Sequence, residues 1–169
     1  MTIETLIWLF PIMFMIHELE EIIFMKPWIK KNAATIQKRF PFIGRRFRKA
    51  TKDFSTRKFA LIVAEEFIII STVTVVSMQW GFINMFTGML IAYSLHLFIH
   101  IVQFIIYRRY IPTIVTSLIS IPYLVFAFMG LAVSPAVSAV WSLTFAGIFA
   151  VVLAVNLFAC HYIVARIKI

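Results

Sequence analysis

Two short spacings in this chain bring metal-binding side chains within reach of one another on single helices. His17, Glu20 and Glu21 fall within five residues, with Glu18 among them, and His17 and Glu20 stand at i, i+3. His96 and His100 stand at i, i+4, which stacks two imidazoles on one helical face. Glu65-Glu66 and His161 are the other His and Glu residues that fall within long apolar runs. Imidazole and carboxylate donors drawn from several helices are the ligand chemistry of zinc, iron or manganese centres. Di-metal bundle proteins use Glu-x-x-His pairs at the same i, i+3 spacing, which His17 and Glu20 reproduce in reverse order. The H-E-x-x-H pattern of soluble zinc proteases is not met, because position 21 is Glu.

The elements that must position these groups are apolar helices. The 169 residues are 62% hydrophobic, with 18 Phe and a mean hydropathy of +0.96, which predicts an all-α, multi-pass transmembrane helical bundle. Five membrane helices are expected, roughly 3–25, 59–80, 84–107, 111–133 and 138–165, in a single integral membrane domain spanning 1–169. The first residues lack the basic stretch of a signal peptide, so the first apolar run is expected to remain as a helix. The single Cys160 excludes an intrachain disulfide and any Cys-cluster metal site.

Charge then orients the bundle. Twelve of the 16 Lys and Arg lie between Lys26 and Lys58; the others are Arg108, Arg109, Arg166 and Lys168. The alternate connections, 81–83 and 134–137, carry no charge. The positive-inside rule places the N-terminus outside and the C-terminus in the cytoplasm. The net charge of +9 is thus a topology signal and not a nucleic-acid footprint. In 26–58, Trp28, Phe40, Phe42, Ile43 and Phe47 interleave with the cations, and Pro41 divides the stretch. That pattern predicts a basic interfacial loop of one or two short amphipathic helices on anionic inner-leaflet headgroups.

An ionisable group inside such helices costs roughly 2.5–3.5 kcal/mol unless it faces a partner. Counting at about 1.5 Å per residue from the nearest cytoplasmic charge puts Glu20, Glu21 and His161 about 8–9 Å deep. His17, Glu65, Glu66 and His100 come out about 10–13 Å deep, and His96 about 18 Å. Four helices therefore contribute to one polar layer in the inner leaflet. The metal ligands expected are His17, Glu20, Glu21, Glu65, His96 and His100, around one or two divalent ions. Glu65 shares a stripe with Thr72 and Gln79 and is expected to face inward, with Glu66 about 100° away. His161 is expected as a peripheral ligand or proton shuttle and ranks above Asn156, because it continues the stripe of Ser142, Ala146, Ala150 and Ala154. Glu66 or Glu18 is expected as general base. In the fourth helix Thr113, Ser117 and Ser120 form a hydroxyl face suited to supporting the ligands.

The sequence His17-Glu-Leu-Glu-Glu resembles the signature of the HXXEE domain family, small multi-pass and mostly bacterial membrane proteins of unknown function. His17, Glu20 and Glu21 occupy the three named positions. Glu65-Glu66 and His96/His100 are similar to further Glu and His positions of such proteins, and the resemblance implies a location in a bacterial cell membrane. The E-E-x-x-x-R signature of the CAAX-protease-like group is not matched, since position 70 is Ile.

The function expected from these residues is a membrane-embedded metal-dependent enzyme, a hydrolase or an oxidoreductase, acting on a lipid-like or membrane-delivered substrate. The alternative is a proton-coupled or cation transporter that uses the same layer as a relay, for which the sequence shows no internal repeat.

Overall fold

The computed structural model describes residues 2–51 and 55–166, except for the side chains of residues 50 and 157–166. Six helices follow one another: α1 (Ile3–Arg39), α2 (Pro41–Thr51), α3 (Thr56–Trp80), α4 (Ile83–Tyr107), α5 (Ile114–Ala132) and α6 (Ala139–Arg166). The chain is all-helical among the described residues, as the apolar runs predict. Helices α3, α4, α5 and, over Ala139–Asn156, α6 are long and apolar enough to cross a membrane. Large apolar side chains such as Leu118, Phe126, Met129 and Leu143 point outward and exposed, the arrangement of a bundle meant for lipid.

Local chemistry sets the ends. Thr2 caps α1, its hydroxyl accepting from the Thr5 amide at 3.2 Å, and Ser55 does the same for Lys58 at the start of α3. Gly81, at φ 71°, ends α3 in the left-handed conformation that glycine adopts without strain.

The stretch 26–58 departs from expectation. Only α2 is a separate short helix; residues 26–39 continue α1 through Pro27. A helix of 37 residues is about 55 Å long, against a hydrocarbon core of about 30 Å. Tertiary bonds hold this extension despite the amide that proline lacks. Trp28 Nε1 donates to the Tyr110 carbonyl at 2.8 Å, Arg39 to the Tyr107 carbonyl at 2.7 Å, and Tyr107 Oη to Asn32 at 2.8 Å. Helix α2 folds back on the extension so closely that a Cβ on Gly44 would lie 2.3 Å from the Gln37 Cα.

One core joins α1, α3, α4 and α5 around Phe10, Phe86, Leu90 and Leu97, with Phe10 edge-on to Phe86 and Tyr93. Helix α6 packs on α4 where Gly88 leaves room: a Cβ there would sit 2.5 Å from the Phe145 Cβ. This small-residue seam carries Ser142 and Ala146, both buried.

Candidate metal centre

Helix α1 turns His17, Glu18 and Glu20 inward, while Ile16 before them and Leu19 among them face out. Helix α4 brings His96 and His100 opposite, one turn apart. The three imidazoles meet through the same atom: His17 Nε2 lies 3.3 Å and His100 Nε2 3.0 Å from His96 Nε2. A tetrahedral ion with bonds of about 2.0–2.1 Å needs nitrogens about 3.3–3.4 Å apart, close to these two spacings, and one ligand atom from each of the three rings lies within 4.8 Å of the others.

The other ring nitrogens fix which atoms face inward. His17 Nδ1 donates to Thr116 Oγ1 at 3.2 Å, because that hydroxyl has already given its hydrogen to Glu20 Oε2 at 2.6 Å. His100 Nδ1 donates to the Gln103 Oε1 acceptor at 3.3 Å. Both rings therefore present an Nε2 lone pair to the centre. His96 can share at most one proton between two acceptors, and a cation satisfies all three nitrogens together. His17 is fully buried and His100 nearly so; His96 is partly exposed into a neighbouring cavity.

That cavity, about 540 Å³, lies between α1, α3, α4 and α6. Its walls are mostly apolar, including Phe14, Phe59, Ile62 and Leu153, with Glu18, Glu21 and Glu66 beside His96 at the polar end. Glu18 Oε1 is 3.8 Å from His96 Nε2. Glu18, Glu21 and His96 form a second group whose ligand atoms all lie within 4.8 Å of one another.

Two expected site residues are placed differently. Glu20 is absorbed by α5 instead of joining either group. It accepts the Thr116 amide at 2.8 Å, the Thr116 hydroxyl and the Tyr110 hydroxyl at 2.9 Å. Thr116 is the third residue of α5, and the Thr113 side chain makes no cap bond, so Glu20 caps α5 from another helix. Burial and the Glu20 carboxylate push the Tyr110 phenol up to about 12, which keeps it a donor. Glu65 accepts a bond from Asn156 Nδ2 of α6, and its neighbour Glu66 lines the cavity instead. The inward stripe of α3 thus runs through Glu66, about 100° from the one expected. The side chain of His161 lies outside the described residues.

Thr116 is the group that the sequence reading missed. The hydroxyl face expected on α5 was Thr113, Ser117 and Ser120, of which Ser120 meets Tyr93 Oη at 3.3 Å. The Thr113 and Ser117 hydroxyls are buried without a partner among the described residues. The signal for Thr116 was its position three residues beyond Thr113, where a helix's first free amides need acceptors.

No curated protein and no solved structure matches this chain. A family model described as "Protein of unknown function with HXXEE motif" matches residues 8–127, which include His17, Glu20, Glu21, His96, His100 and Thr116. By that match over most of its length, the chain belongs to the HXXEE family.

Proposed function

We propose that this protein is a membrane-embedded, metal-dependent hydrolase that holds a divalent ion, zinc, iron or manganese, between His17, His96 and His100. The observation that carries this reading is the meeting of three Nε2 atoms, two of them with their protons committed elsewhere. A bound ion would lower the pKa of its water and polarise a substrate carbonyl or phosphoryl oxygen.

The chain's own groups supply the rest. Glu18, beside His96 at the cavity edge, accepts a proton from the nucleophilic water. Thr116 and Gln103 hold the rings of His17 and His100 in register. The apolar walls receive an acyl or prenyl chain, so the substrate is an amphiphile whose polar group stops at His96. Helix α1 crosses the membrane with its N-terminus outside, and the basic extension with α2 lies against anionic inner-leaflet headgroups. The whole chain acts as one membrane domain.

The test is elemental analysis of detergent-purified protein after dialysis. About one ion per chain is expected in wild type, lost in His17→Ala and His100→Ala and kept in Asn156→Ala. Wild-type protein that holds no metal even after reconstitution would overturn the reading and favour the proton relay.

A further inference from the structure

Among the described residues, the cavity carboxylates lack the hydrogen-bond partners that inward-facing acids ordinarily have. Glu18 is 3% exposed, yet it accepts no hydrogen bond from any described residue, and its contact with His96 is 3.8 Å long. Glu21 and Glu66 face the same space and likewise accept no hydrogen bond among the described residues. Three acids turned into one cavity repel one another and forgo hydration, a cost that protein interiors offset with a cation or a donor. Glu20, two residues from Glu18 on the same helix, shows what a satisfied acid looks like here: it has three donors.

We propose a second cation position in this cavity, carboxylate-rich, formed by Glu18 and Glu21 beside His96, with Glu66 as a further carboxylate lining the same cavity. Its ligand atoms are mostly oxygens, so it takes a harder ion than the imidazole position, manganese(II) or magnesium. Glu18 stands next to His96 and within reach of Glu21, which makes it the group that can bridge the two positions. The two-ion arrangement rests on the metal reading above. The carboxylate position by itself does not, because among the described residues His96 is the only imidazole it borders. A pair of ions would hold attacking and leaving oxygens together, which suits a phosphoryl or carboxyl ester as the polar group of the amphiphile.

The experiment uses the full chain in detergent, stripped with a chelator, given one equivalent of zinc and titrated with manganese(II) chloride. Loss of the free manganese signal in electron paramagnetic resonance measures binding. Wild type is expected to take up one manganese ion beyond zinc. Glu21→Gln and Glu66→Gln are each expected to weaken that uptake at least tenfold while zinc stays at one equivalent. Both changes are isosteric and remove charge from half-buried side chains, so they do not threaten the fold. Glu4→Gln, at the N-terminal end of α1, is the control and should leave uptake unchanged. His100→Ala should lose zinc and keep manganese within a fewfold.

Zinc failing to bind while manganese uptake still depends on Glu21 and Glu66 would remove the imidazole site and leave this one standing. No uptake beyond zinc in wild type, or uptake that neither Gln variant changes, would overturn the carboxylate position.

Discussion

Glu20 and Glu18 sit two residues apart on α1 and are both buried, but the bundle treats them in opposite ways. Glu20 points at the start of α5 and is saturated by an amide and two hydroxyls. Glu18 points at the cavity and has no donor at hydrogen-bond distance among the described residues. The difference separates two jobs within one five-residue motif. One acid ties helices together and, through Thr116, meets an imidazole; the other lines the cavity beside His96. A carboxylate used for stability is hydrogen-bonded, whereas one left bare in a cavity needs a ligand to explain it.

Substitutions can break that contrast, beginning with the ligands themselves. His17→Ala or His100→Ala should weaken metal retention by more than the 10–100-fold typical of an outer-sphere partner, read by equilibrium dialysis. The next largest effect belongs to Glu20→Ala, which strips the α5 amide and Tyr110 of their acceptor. A loss of about 2–4 kcal/mol is expected in reversible unfolding from mixed micelles, since bonds to charged groups contribute about 1.5–3 kcal/mol each. Glu18→Ala should cost far less stability than Glu20→Ala; equal losses would erase the distinction between the two acids.

Thr116→Val keeps the shape of the side chain but removes the link between Glu20 and His17. It should lower metal affinity about 10–100-fold, with Thr116→Ser recovering most of it. A Val variant that binds metal normally would leave Glu20 with the capping role alone. The smallest effect sharpens the other side of the contrast. Glu66→Gln in metal-free protein should change unfolding stability by no more than about 0.5 kcal/mol, or raise it, because neutralising a half-buried acid beside other acids relieves repulsion.

Much of this arrangement was legible before any coordinates. The apolar runs located the long helices, and the i, i+4 pair on α4 together with His17 located the imidazole cluster, because helical periodicity is a local property of the chain. What failed was decided by tertiary contacts. The basic stretch that opens at Lys26 read as the end of the first helix, yet the bonds of Trp28, Asn32 and Arg39 with the 107–110 turn carry the helix on to Arg39. Glu65 and Glu66 are adjacent and chemically identical. Which of them faces the cavity depends on the rotation of α3, and Asn156 on a distant helix takes Glu65. Glu20 was indistinguishable from Glu21 as a ligand until the start of α5 was found against it. An interhelix cap leaves no pattern in either helix alone.

Thr113 has a consequence for anyone who engineers this protein. It holds φ 96°, a conformation that a β-branched residue adopts only under strain, and its buried hydroxyl has no partner among the described residues. The strain costs roughly 1–3 kcal/mol and the orphaned hydroxyl a similar amount, while the buried methyl returns only about 0.8 kcal/mol. The residue sits where the chain must turn sharply to aim the Thr116 amide and hydroxyl at Glu20. A thermostability selection should therefore enrich glycine at position 113. Any accompanying loss of metal affinity would measure how much of the ligand geometry is held by a spring instead of by a rigid strut.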